Sequence, residues 1–273
     1  MLRSINELNG YTLQVSDGEI GRCQDFLFDD RSRALRYMVA KTAKWLPGRK
    51  VVISPLFIEQ PDRQNRQLPL RLSRKQLEDS PPLDEHEPVS RQFEKQFHEY
   101  YALPFYWAGP GPWGVYPDRG DTLKPVEDPD NMETDAADVL EEGHLRSCNE
   151  VSGYYVEASD GEIGHVADFV ADDNWVLRYL VIDTRNWLPG RKVLVPMSKL
   201  ESVQWAERII RVGLTTEEVG NSPVYDPAQP ISEDHEMELL QYHERPILVD
   251  RAEHMGKAKW SGASTESRSR DET

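Results

Sequence analysis

Short apolar–polar alternations dominate this chain, and they predict strands. Tyr11 to Val15 reads as a strand closed by Asp17-Gly18, a hairpin signal. Glu19 to Phe28 reads as the next strand, and Asp29-Asp30 begins the turn after it. In the third strand, Leu35 to Lys41, Leu35, Tyr37 and Val39 suit one face. Met38 and Ala40 leave the other face partly apolar, so cover is expected on both sides. Lys50 to Ser54 reads as a fourth strand after Pro47-Gly48.

The same order returns later. SDGEIG begins at Ser16 and again at Ser159, and WLPGRK begins at Trp45 and again at Trp187. Leu2-Arg3-Ser4 matches Leu145-Arg146-Ser147, and Asp25-Phe26 matches Asp168-Phe169. The second copy drops one residue in a turn, after which Leu35-Arg36-Tyr37 matches Leu177-Arg178-Tyr179. Gly21 and Gly164 fall inside their strands, where glycine marks a bulge or a tight bend. In the second copy Leu200 to Gln204 and Arg208 to Val212 read as a hairpin, with a counterpart between Phe57 and Leu72.

Helical spacing appears only after each set of strands. Ser73 with Gln76, and Thr215 with Glu218, have the spacing of a capping box. Pro-containing connectors follow, then a second helix beginning at Ser90 or Ser232. The first of these carries Phe93, Phe97, Tyr100 and Tyr101; the second carries Met237, Leu239, Leu240 and Tyr242. Each ends before a proline and an apolar triplet, Phe105-Tyr106-Trp107 or Ile247-Leu248-Val249, expected to latch onto the strands. The expected fold is mainly β: two small β-barrels in tandem duplication, each followed by short helices. The expected units are 1–107 and 144–250, with a Gly/Pro-rich and acidic linker at 108–143 and a polar tail at 251–273. The apolar outer strand faces imply contact between the barrels, within or between chains.

A net charge of −16 argues against non-specific nucleic-acid binding or attraction to anionic lipid, so no nucleic-acid partner is expected. The first ten residues lack the apolar core of a secretory signal. No window reaches the ~18 apolar residues of a membrane span, so no membrane insertion is expected, and the reading is cytoplasmic. Cys23 aligns with Val166 and Cys148 with Ile5, which suggests buried small hydrophobes rather than a disulfide or a nucleophile.

SDGEIG, the acidic turn, the Arg-Tyr strand and WLPGRK together resemble the PRC-barrel family. The resemblance covers about Leu2 to Leu72 and Leu145 to Leu214. It implies the barrel fold and a role in docking onto proteins or ribonucleoprotein. The membrane helix of the reaction-centre H subunit and the extra N-terminal domain of the ribosome maturation factor have no counterpart here, so neither specific role carries over.

The candidate chemistry is sparse. Asp17, Glu19, Asp25, Asp29 and Asp30 recur as Asp160, Glu162, Asp168, Asp172 and Asp173. Clustered carboxylates suit calcium or magnesium, but turn geometry explains those beside glycine or in turns, and no metal or cofactor is expected. Asp25 and Asp168 stand at strand centres, where the expected role is structural, with Arg36 and Arg178 as candidate partners. The histidines do not assemble: the tracts 84–87 and 233–236 lack HExxH spacing and do not superpose in the repeat. Trp45, Arg49 and Lys50, with Trp187, Arg191 and Lys192, form candidate docking loops; Tyr106 and Trp107 are further candidates. The leading expectation is a non-enzymatic protein-interaction module. The alternatives are a metal- or ligand-dependent sensor or enzyme using the paired acids, and a peripheral subunit docked on a membrane protein complex.

Overall fold

Two long strands organise the molecule, β3 (Gly18–Asp29) in the first half and β9 (Gly161–Ala171) in the second. The computed structural model describes residues 2–42, 46, 49–84, 88–107, 144–184 and 191–243. The expected linker at 108–143, the tail at 251–273 and the second apolar triplet lie outside the described residues.

In the first half β2 (Thr12–Val15), β4 (Leu35–Lys41), β5 (Val51–Ile53) and β6 (Gln67–Pro69) join β3 in the order β5-β4-β3-β2-β6. In the second, β8 (Tyr155–Ala158), β10 (Leu177–Asp183), β11 (Lys192–Pro196), β12 (Leu200–Gln204) and β13 (Ile209–Val212) give β11-β10-β9-β8-β13-β12. The fold is mainly β, in two sheets. Among the described residues neither sheet closes into a barrel. Beyond β5 and β11 the described residues add single bridges, Arg49 to Asp84 and Val193 to Val224. The expected first-half counterpart of the β12–β13 hairpin is reduced to β6 and the bridges Ile58–Leu70 and Asp62–Gln67.

Each sheet is completed from the other half. β1 (Arg3–Ser4) pairs with β9, and β7 (Leu145–Ser147) pairs with β3. One-turn helices α1 (Ile5–Leu8) and α4 (Cys148–Val151) follow them directly. Two facing turns add a second reciprocal contact: Leu35 N–H donates to the Trp175 carbonyl, and Leu177 N–H to that of Arg33. The rings follow, with Phe26 stacked on Trp175 at 5.8 Å and Phe28 against Phe169 at 5.5 Å. One buried cluster therefore contains Leu13, Phe26 and Met38 together with Val156, Phe169 and Leu180. Cys23 and Cys148 are buried in it as free thiols.

A bulge corrects the expected face of Leu35. Pairing passes from Leu27–Tyr37 to Phe28–Leu35, so Arg36 is an extra residue and reverses the alternation. Leu35 joins Met38 and Ala40 in the shared core, while Tyr37 and Val39 face an outer cluster. The second half repeats the shift at Arg178. The glycines at a second irregularity have a steric cause. Gly21 and Gly164 have φ of +146° and +138°, and a Cβ there would lie 2.2 Å from the Lys41 carbonyl oxygen or 2.1 Å from that of Asp183.

Candidate functional site

The repeated acids hold the chain together. Asp25 accepts from the Ser147 hydroxyl and the Asn149 amide (3.1 Å) of the other half, and from its own neighbour Phe26 N–H. Asp168 accepts from Ser4, Asn6 (2.9 Å) and Phe169 in the same way. The Asn149 and Asn6 side chains donate to the carbonyls of Gln24 and Ala167, both at 2.8 Å. Burial pushes both carboxyls above the ordinary aspartate range, although these donors pull them down. The expected arginines are not the partners. Arg36 instead reaches Ser32 and Asp29, and Arg178 is exposed. Asp17 and Asp160 accept the amides of Arg74 and Thr216, which begin α2 (Arg74–Glu78) and α5 (Thr216–Asn221). Both helices carry the expected reciprocal capping boxes.

The candidate docking loops divide. Trp45 and Trp187 lie outside the described residues. Arg49 donates to the carbonyls of Glu78, Ser80 and Pro81, and Arg191 to that of Ser222. These guanidinium groups therefore tie down the chain leaving α2 and α5 rather than reaching outward. Lys50 and Lys192 are half-buried, with backbone bonds to Leu83 and Tyr225.

Sequence reasoning missed a buried polar cluster beneath α3. Helix α3 (Arg91–Tyr100) lays Phe93 and Phe97 on the outer face of β4, where Phe97 meets Tyr37 edge-on at 5.2 Å. Glu94 goes down with them and is fully buried. Tyr37 and Tyr106 donate to its Oε1 at 3.1 and 2.6 Å, and Arg91 lies 3.0 Å from its Oε2. His144, at the start of the second half, is 3.5 Å from the same oxygen and 2.8 Å from the Tyr106 hydroxyl. Arg36 sits 3.5 Å from the Tyr106 ring centroid, a cation–π contact. Burial raises Glu94 above its ordinary value despite Arg91 and the two tyrosines. Burial also lowers His98 and His144 to about 4. His98 Nδ1 lies 2.7 Å from the Pro104 carbonyl, which can only accept, so Nδ1 carries the proton. The strap 103–107 is thus fixed: Tyr106 is buried, and Trp107 is half-buried against His98 and Arg91. Arg91 and Glu94 have the i, i+3 spacing that solvated ion pairs also have. The overlooked signal is that Glu94 sits beside Phe93, on the face that Phe97 buries.

No protein-family model matches the chain, and no curated protein matches it. Among the described residues no group of three or more His, Cys, Asp or Glu is placed to hold a metal ion. None of the helices among those residues is long and apolar enough to cross a membrane.

The second half repeats the helix without the cluster. In α6 (Glu233–His243) only Leu239 and His243 are buried, while Met237 and Leu240 are 56% and 38% exposed. A cavity of about 260 Å³ lies where the halves meet, lined by Leu2, Ser4, Glu7, Arg63, Tyr225 and Ile231 among others.

Proposed function

We propose that this chain is a non-enzymatic protein-interaction module of the cytoplasm, built from two PRC-type units that complete one another. The PRC assignment rests on the recurring motifs and is supported by the matching strand order of the two sheets. One observation carries the functional reading: Asp17, Asp25, Asp160 and Asp168 each accept backbone amides that hold elements together. Carboxylates engaged in such bonds have their lone pairs committed to the backbone, which is a structural role. Buried free thiols at Cys23 and Cys148 suit a reducing compartment.

The test has two arms. Melting of the full chain is expected to be unchanged by calcium, magnesium or chelator, since a ligand that binds only the folded state raises the melting temperature. Affinity capture on the full chain is expected to retain a protein at fixed stoichiometry through gel filtration. A metal-dependent rise of several degrees would overturn the reading. The cavity beside Tyr225 favours a second reading, a small-ligand sensor, which a thermal-shift screen of metabolites against Tyr225→Trp would reveal.

A further inference from the structure

The two halves hold the same helix in the same register but cover it differently. The Tyr100 hydroxyl donates to the Gln76 carbonyl at 3.0 Å, and the Tyr242 hydroxyl to that of Glu218 at 2.7 Å. Phe97 and Leu239 point into the equivalent outer clusters. This common register makes Glu236 the counterpart of Glu94, Leu240 that of His98 and Glu233 that of Arg91. The bulged residues Arg36 and Arg178 correspond in the strand beneath. In the first half Glu94, His98 and Arg36 are all buried, and Tyr106 contacts each of them. In the second, Glu236 is half-buried, and Arg178 and Leu240 are exposed.

We propose that this seat on the second half, uncovered among the described residues, docks an extended segment of a partner protein, one bearing a tyrosine just after a proline and a cation nearby. The occupant's chemistry is read from the strap seated in the first half. Its tyrosine ring meets the bulged arginine, its hydroxyl meets the helix carboxylate, and the flanking aromatics cover the next turn. The cation follows from a charge difference. Arg91 neutralises Glu94 within the first half, but Glu233 stands in its place in the second, so positive charge must come from the incoming chain. The chain's own segment after α6 carries a cation at Arg245, but Pro246 is followed by Ile247-Leu248-Val249, which supplies neither the ring nor the hydroxyl of Tyr106.

The inference deepens the interaction-module reading and rests on it. The probe is a fluorescent synthetic peptide copying residues 101–107 with two arginines added, titrated into the full chain by anisotropy. Saturable binding is expected, weakened roughly tenfold or more by Leu240→Ser or by Arg178→Ser. Both residues are exposed, so melting should be unchanged. A peptide with alanine for the Tyr106-equivalent tyrosine, or glutamates for the arginines, should bind similarly weakly. Absence of saturable binding overturns the seat, as does binding indifferent to both substitutions. Binding that appears only after Ile247, Leu248 and Val249 are all changed to serine assigns the seat to the chain's own end and equally overturns the proposal. Any of these failures leaves the interaction module itself to the capture and melting experiments.

Discussion

Helices α3 and α6 begin after equivalent serines and anchor through equivalent tyrosines, yet one is sealed and the other is open. The cause is three side chains and the strap that seals the first helix. Phe93, Phe97, His98 and the strap bury α3, whereas their counterparts His235, Leu239 and Leu240 leave only Leu239 buried, and α6 is held by it and by His243. A helix can therefore keep its place through one buried turn and one anchor. The rest of its surface is then free to become core or contact.

The largest effect is expected at Phe97. Phe97→Ala should cost about 3–5 kcal/mol, measured by chemical denaturation, because a ring lost from the outer cluster leaves a cavity. Glu94→Ala should cost about 3 kcal/mol, since it strands Arg91 and two tyrosyl hydroxyls, whereas Glu236→Ala should stay within about 0.5 kcal/mol. Equal losses at Glu94 and Glu236 would show that α6 is as sealed as α3. The interlock predicts the opposite pattern. Asp25→Ala and Asp168→Ala should each cost about 1–3 kcal/mol and should agree with one another, because their donors are the same in kind.

The smallest effect is a pH dependence centred on the buried cluster beside the first helix, although burial lowers His243 at the end of α6 as well. His98 and His144 titrate at about 4 in the folded chain and near 6.5 when unfolded. Between these values the unfolded chain binds more protons, so their contribution is complete above 6.5 and falls away as pH drops toward 4. His98→Leu, which copies the residue found at 240, should shallow the fall in melting temperature across that window. An unchanged slope would place the acid sensitivity elsewhere.

The strands, the glycine bulges and the capping boxes were legible because each depends on local chemistry. The bounds of Leu35–Lys41 and Leu200–Gln204 fall where the sequence pattern puts them, although the bulge at Arg36 reverses the face expected for Leu35. The exchange between halves was not legible. Ser4-Ile5-Asn6 and Ser147-Cys148-Asn149 offer the same donors, so the pattern alone cannot say which aspartate each will meet. Helices α1 and α4 carried a signal that went unused, the Ser-x-x-Glu of Ser4 with Glu7 and of Ser147 with Glu150, whose serines cap them. The intramolecular contacts of the WLPGRK arginines were not legible, because the carbonyls that Arg49 and Arg191 meet lie at helix ends about 30 residues further along the chain.

The reciprocal exchange also sets a timetable for synthesis. β3 ends at Asp29, but the strand that covers its edge ends at Ser147, about 120 residues further along the chain. At about 5–20 residues per second, that edge waits roughly 6–24 s on the ribosome before its partner exists. Over the same interval Arg3 and Ser4 lack their strand partner, since β9 is made later still. An unpaired strand edge is a template for other chains. The nascent first half is therefore the stage at which this protein most needs a chaperone, and slowing translation beyond Asp29 should lower its soluble yield.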